Sequence, residues 1–431
     1  MRPRTASLAS MSSSNASSAA LLTPGRERAL LWLLALTQFT IIVDFMVMMP
    51  LGPQIMQAFT ISPAAFAAAV SAYSWCAGIS GLLAATYVDR FDRRTMMLVV
   101  YALFALSNLV CAMATNYHAL LLSRAFAGLT GGVLNSVLLA IIGDVIPPQR
   151  RGAAMGLVMT SFSLAAVAGV PLGVVLGAHY GWSSPFFELV LLSVLIWAGA
   201  CKVLPTLTAH IRIPPVPLSR TLPDLWSLLR EPAHVRGFIL TAIVMGSHML
   251  IVPFISPTFV GNLGVEPENI SLIYMAGGFA TFFTSRRVGK LSDRYGKRRV
   301  FQVAALCSLA PVLFITHLPQ LPLWCLIVLF PFFMVSANSR MIPVQALLTT
   351  VPEPHRRGAF MSVNSAVQQI ATGTGAWIGG LTLSTTPAGR ISGYGVNGWL
   401  CCACILFAMW WIGRVSPYAA TTPEQAPAPA T

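Results

Sequence analysis

The chain has 431 residues, of which 56% are hydrophobic and only 9% charged, where an ordinary soluble domain is about 25% charged. That balance excludes a water-soluble globular protein and points to a membrane protein. The net charge of +14 raises the question of a nucleic-acid partner, which the placement of the basic residues answers below.

Residues 1–28 are rich in Ser and Ala, carry four Arg and hold one acid, Glu27. Such a composition suits a disordered cytoplasmic tail, and it also permits an organellar transit peptide. Beyond it, stretches free of Asp, Glu, Lys and Arg run over 45–88, 95–123, 125–143, 152–187, 237–265, 300–339 and 358–389. A bilayer core of roughly 30 Å takes about 20 apolar residues per helical span, so several of these stretches hold two spans. Cut at Pro, Gly and polar clusters, they predict helices near 29–50, 65–88, 96–114, 119–145, 153–178, 186–204, 237–260, 270–291, 301–316, 323–348, 360–383 and 396–413. The expected fold is an all-α membrane protein of about 12 transmembrane helices. They form two six-helix bundles, 29–204 and 237–413, related by pseudo-two-fold symmetry. A polar segment with six prolines, 205–236, is the expected cytoplasmic linker. The Pro/Ala-rich end, 414–431, is an expected disordered tail.

With both termini drawn inside, 24 of the 27 basic residues fall on the cytoplasmic side, Arg390 falls outside, and Arg124 and Arg340 fall within spans. This is the asymmetry of cytoplasmic loops in membrane proteins. The basicity therefore reports orientation in a cell (cytoplasmic) membrane and contact with a lipid bilayer, not nucleic acid. The eight cysteines lie in or beside predicted spans and behave as small apolar residues. Cys401 and Cys404 form a C-x-x-C without a second ligand pair, so no metal and no cofactor are expected.

The two halves repeat. Pro148-Gln149-Arg150-Arg151-Gly152-Ala153-Ala154-Met155 returns as Pro354-His355-Arg356-Arg357-Gly358-Ala359-Phe360-Met361, identical at six of eight positions with an offset of 206. Gly169 and Gly173 map on Gly375 and Gly379 at that same offset. A second match, 85–94 against 289–298, has an offset of 204.

Gly289-Lys290-Leu291-Ser292-Asp293-Arg294-Tyr295-Gly296-Lys297-Arg298 resembles the G-x-L-x-D-R-x-G-R/K-R/K signature of the major facilitator superfamily, between spans 2 and 3 and again between spans 8 and 9. Arg124 to Leu129 resembles its span-4 R-x-x-x-G element. Gly169-Val170-Pro171-Leu172-Gly173 is similar to its span-5 antiporter element. The run 29–413 as a whole resembles bacterial drug:proton antiporters and arabinose-efflux-type permeases. The N-terminal signature departs from the pattern at Ala85 and Asp92, where glycines are usual. Asp tolerates the left-handed turn that Gly would supply better than most residues do. In the span-5 element Val170 replaces a Gly.

No phosphate-cradling loop and no enzyme constellation appears, so an ATP-driven pump and an enzyme are not expected. An ionisable residue inside a span is a functional candidate by default. Asp44 in span 1 can trade a proton for a change in conformation, or form a static helix-to-helix pair. Arg124 in span 4 is its natural partner, and the resemblance links that Arg to proton coupling. His248 in span 7 occupies the repeat position of Asp44 or its neighbour and is a second proton-site candidate or a packing residue. Arg340 in span 10 either attracts an anionic group on a substrate or bonds to backbone carbonyls. Gln38, Tyr73, Trp75, Asn135, Tyr274, Asn364, Gln368 and Trp377 complete the candidate substrate cavity with Arg340, or serve as interhelical hydrogen bonds and interface aromatics.

The resemblance gives the signatures a gating role. Asp89, beside Arg90, Arg93 and Arg94, is expected to pair with a neighbouring Arg and, in the outward-open state, with the N-terminal end of span 11, closing the inner side. Asp293, with Arg294, Lys297 and Arg298 and the glycines Gly289 and Gly296, does the same beside span 5. Gly169, Pro171, Gly173, Gly375 and Gly379 are expected to let spans 5 and 11 pack closely. The expected activity is proton-coupled export of a small organic molecule by a monomer, its partners being substrate, protons and lipid. The alternatives are uptake by symport or facilitation, and a non-transporting sensor on the same fold.

Overall fold

The computed structural model describes residues 23–147, 149–208, 226–354, 356–387 and 389–418, the side chain of Ala85 excepted. Residues 1–22 and 419–431 of the expected tails and most of the linker lie outside the described residues, while residues 24–28, expected in the N-terminal tail, open the first helix, where Glu27 accepts from Arg150. Within the described residues stand twelve long helices, numbered in chain order. The first six are α1 (Pro24–Val47), α2 (Pro63–Tyr87), α3 (Arg93–Ala112), α4 (Tyr117–Val145), α5 (Arg151–Leu164, then a π turn Ala165–Gly169, then Val170–Tyr180) and α6 (Ser184–Val203). The second six are α7 (Pro232–Met249), α8 (Pro267–Tyr295), α9 (Lys297–Thr316), α10 (Leu323–Leu348), α11 (Arg357–Leu381) and α12 (Tyr394–Trp411).

Ten of these helices are long and apolar enough to cross a membrane. The other two, α8 and α11, have the length, but Arg286, Arg287 and Lys290 dilute the first and Ser, Asn, Gln and Thr the second. Several starts follow from local chemistry. Proline stands in the first turn of α1, α2, α6, α7 and α8, where its missing N–H costs nothing. Side-chain oxygens of Ser62, Asp92 and Asn116 accept the free N–H groups of Ala65, Thr95 and Ala119 at 3.2, 3.1 and 2.9 Å.

The halves share their irregularities. Past α1, Pro50 breaks the chain before a short helix Gly52–Phe59; past α7, a 3-10 turn Val252–Phe254 containing Pro253 precedes Ile255–Leu263. The π turn in α5 lies directly before Pro171, whose ring cannot supply the donor that a regular helix needs there.

All the loops rich in Arg and Lys lie at one end of the molecule, the basic end. At the other end the two bundles are packed together. Ser71 Oγ donates to Gly373 O at 2.7 Å, Trp75 Nε1 donates to Thr374 Oγ1 at 3.2 Å, and Ser256 Oγ donates to Pro50 O at 2.7 Å. These hydrogen bonds join the bundles. On the other side of the molecule α8 meets the middle of α5, with Gly278 against Ala166 and Val167.

The apolar core has the same asymmetry. One cluster runs from the far half of the first bundle (Val47, Phe66, Val174) through the whole second bundle. The half of the first bundle nearest the basic end has a separate core around Leu34, Tyr101 and Ile141. The bundles thus separate toward the basic end and close at the other.

Candidate functional site

Asp44 and Arg124 lie at similar depth on α1 and α4, one wholly enclosed and the other 1% exposed. Arg124 Nη1 donates to Asp44 Oδ1 at 2.5 Å, and Nη2 lies 3.3 Å from the Asp44 main-chain oxygen. The guanidinium stands 4.7 Å over the Tyr73 ring and 5.8 Å from that of Phe186, contacts that favour a cation out of water. Two polar atoms of the pair stay unmatched: Asp44 Oδ2 and Arg124 Nε. A buried pair recovers its desolvation cost only when its remaining donors and acceptors are met, so this one is poised rather than fully satisfied. Protonation at Oδ2 would release the guanidinium electrostatically.

At the basic end of the first bundle Arg93 is 3% exposed and fully engaged. Its Nη2 meets Asp89 Oδ1 at 2.5 Å, Nε meets Asp144 Oδ2 at 3.0 Å, and Nη1 donates to Val88 O at 2.9 Å. Arg94 reaches the Cys201 carbonyl at 2.7 Å on α6, and Arg90 is exposed. Asp89 thus pairs with its neighbour Arg93, one turn along the chain.

Asp92 corrects an expectation. Its φ of −59° is not left-handed; it caps α3 and accepts from Leu207 N at 2.9 Å, tying the start of the linker to this loop. Burial raises its carboxyl pKa, but the hydrogen bonds from Leu207 and Thr95 outweigh that and hold it below the ordinary range. In the second signature Gly296 does adopt φ +90°, which explains why only that copy needs glycine. There Asp293 is exposed, Lys297 Nζ donates to Ala346 O at 2.9 Å, Arg294 lies 5.3 Å from the Tyr295 ring and Arg298 sits against Gly413. Nothing lies within 4 Å of a Cβ added at Gly289.

The packing glycines sit where the helices approach most closely. A Cβ at Gly169 or Gly173 would collide with Val43 or Val47 of α1; one at Gly375 or Gly379 would collide with the α7 backbone at Gly246 or Leu250. The contacts of α5 with α1 and of α11 with α7 are thus equivalent in the two bundles.

The expected cavity residues divide. Gln38, Trp75, Asn135 and Gln368 are half-buried, and Trp377 is 41% exposed with its ring 6.0 Å from that of Trp75. Gln368 accepts from Gln345 Nε2 at 2.9 Å. In this conformation Tyr73, Asn364, Tyr274 and Arg340 do not face open space. Tyr73 serves the ion pair, Asn364 accepts from Thr241 at 2.6 Å between α11 and α7, and Tyr274 packs 5.2 Å from the Phe330 ring. Arg340 is 3% exposed. Helix packing matches the polar groups of Tyr73 and Asn364, whereas Tyr274 Oη and Arg340 Nε are enclosed without a partner. His248 lies parallel to Phe333 at 6.5 Å, and its Nδ1 has no partner.

Sequence reading missed Asp144, Ser71 and Thr374. Asp144 carried a signal, an acid in the last turn of a span at the basic end. The two hydroxyl residues carried none, since their role depends on which helices meet.

Both halves, with their shared break after the first helix and their equivalent glycine contacts, match the sequence model of the Major Facilitator Superfamily over residues 34–376, and again over 237–431. The chain belongs to that superfamily. Solved structures with this fold include a D-xylose–proton symporter (14% identity, TM-score 0.72, covering 89% of this chain and 97% of that one). A bacterial homologue of the human lysosomal transporter Spinster, in an inward-facing and occupied conformation, matches at 16% identity and TM-score 0.69, covering 89% of this chain and 94% of that one. The nucleoside transporter NupG matches at 11% identity and TM-score 0.69, covering 90% of this chain and all of that one. At these identities the likeness concerns the fold. A multi-pass membrane protein with the superfamily's two-bundle fold is the outcome.

Proposed function

We propose that this chain is an alternating-access secondary transporter of the cytoplasmic membrane that exports a small organic molecule in exchange for protons, in the manner of the drug:proton antiporters and arabinose-efflux-type permeases. The observation that carries the reading is the enclosed Asp44/Arg124 pair with its unmatched Oδ2. In a water-poor interior a proton can compete with a salt bridge for the same carboxylate. With Asp44 charged, α1 and α4 are joined; with Asp44 protonated, Arg124 is released and the helices can shift. Linking that step to substrate release gives exchange.

In this reading 29–204 and 237–413 are the rocking bundles, a monomer carries both, and the basic end with both termini faces the cytoplasm. The conformation described above is then open inward, and Gln38, Asn135, Gln345 and Gln368 line the cleft. Asp89 and Asp293 make their contacts with α11 and α5 in the outward-open state. Val170, in place of the antiporter glycine, favours the second reading, uptake by symport or facilitation.

The test uses a compound found by an export screen in a host stripped of its own efflux systems. In proteoliposomes with an imposed pH gradient, Asp44→Asn should end accumulation against the gradient while equilibration down the gradient continues. An Asn variant that still concentrates the compound removes Asp44 from coupling and makes His248 the next residue to test.

A further inference from the structure

The two bundles treat a buried arginine differently. In the first, Arg124 has Asp44. In the second, Arg340 is equally enclosed at 3% exposure, yet the described residues offer it no carboxylate. The acids of residues 237–413 are Glu266, Glu268, Asp293 and Glu353, all at helix ends or in loops. Arg340 Nε is shut away without a partner, and the guanidinium's one side-chain hydrogen bond among the described residues is to the Cys401 thiol.

Within electrostatic reach of the guanidinium are His248 and the Cys401 and Cys402 thiols of α12. His248 Nδ1 is itself enclosed and unpartnered. An isolated guanidinium inside a membrane protein is costly, a thiol is a weak acceptor, and imidazole can only add a donor or a neutral acceptor. Donors converge here and the counter-charge is missing.

We propose that Arg340, with His248 beside it, holds a bound anion in the second bundle. It is the carboxylate of the transported molecule or a halide ion, taking the role that Asp44 fills in the first. The carboxylate form rests on the transporter reading above; the halide form does not.

Binding to the purified protein in detergent tests this without any transport assay, so its failure is separate from failure of the transport reading. Unfolding is followed by tryptophan fluorescence during titration with sodium benzoate, with sodium bromide, and with benzamide as the uncharged counterpart of benzoate, at constant ionic strength with sodium sulfate, an anion that is neither carboxylate nor halide. A saturable rise in melting temperature with benzoate or bromide, and none with benzamide, is the expected result. Response to benzoate alone assigns the site to a carboxylate; response to bromide assigns it to a halide. Arg340→Gln should abolish the response, and Arg340→Lys and His248→Gln should weaken the apparent affinity about tenfold or more, as expected for loss of a charge-assisted hydrogen bond. Cys401→Ser should retain it. If Arg340→Gln does not fold, Arg340→Lys and His248→Gln decide. An unsaturable response in the wild type, an equal response in both of these variants, or loss of the response in Cys401→Ser would overturn the assignment.

Discussion

Arg124 Nη1 lies 2.5 Å from Asp44 Oδ1 between α4 and α1, and solvent reaches neither carboxylate nor guanidinium to any useful extent. Removing one partner leaves an uncompensated charge in the bundle. Asp44→Leu or Arg124→Met should each cost about 3–5 kcal/mol of stability, while the two substitutions together should cost far less than their sum. Thermal unfolding of the four proteins in detergent, read as a double-mutant cycle, checks this. Additive losses would show that the two side chains are not coupled.

Arg93 bridges acids of unequal setting, since Asp89 is 68% exposed and Asp144 33%. An exposed pair one helical turn apart contributes under about 1 kcal/mol. Asp89→Asn should therefore leave the melting temperature nearly unchanged and alter instead the ratio of inward-open to outward-open molecules. Asp144→Asn should lower stability as well. Spin-label distances between the basic ends of the bundles, measured beside the melts, distinguish the two.

Trp75 and Thr374 join the bundles at the closed end. Trp75→Phe removes a hydrogen bond worth about 0.5–1.5 kcal/mol in that state alone, a shift of about two- to tenfold toward opening. Labels at the exposed positions Gln57 and Glu266 should report a larger population at long distance. An unchanged distribution would mean that apolar contact alone holds this end.

Gly375→Leu should cost stability in excess of about 1–3 kcal/mol, because its side chain meets backbone of α7 at Gly246, which cannot rotate aside. Gly289→Ala should be neutral in the conformation described, where the position is clear. Melting curves compare the pair directly.

Asp92 has a folded-state pKa below its unfolded value near 3.9. Its contribution to stability is present above that unfolded value and is lost as pH falls through the lower folded one. Asp92→Asn should thus be less stable than the parent protein at pH 7, with the difference closing as the pH falls below about 4, because the variant lacks the part of the acid decline that Asp92 supplies.

The membrane class, the number of helices, the halving of the chain and the pairing of Asp44 with Arg124 were all legible in the sequence. Hydropathy, charge position and an offset of 204–206 act along one dimension, and two opposite charges buried at equal depth have few ways to avoid each other. The turn at Asp92 was misread because its side chain found the α3 N-terminus and Leu207, partners that a residue-type preference does not contain. The enclosure of Tyr73, Asn364 and Arg340 was not legible, because whether a polar side chain in a span faces a cleft or a neighbouring helix depends on rotation about the helix axis. Packing sets that rotation, through contacts such as Gly169 on Val43 and Gly375 on Gly246. Which end of the molecule is closed was decided in the same way. Ser71 with Gly373, Trp75 with Thr374 and Ser256 with Pro50 are about 200–300 residues apart in sequence, and only the docking of one bundle on the other brings each pair within hydrogen-bonding distance.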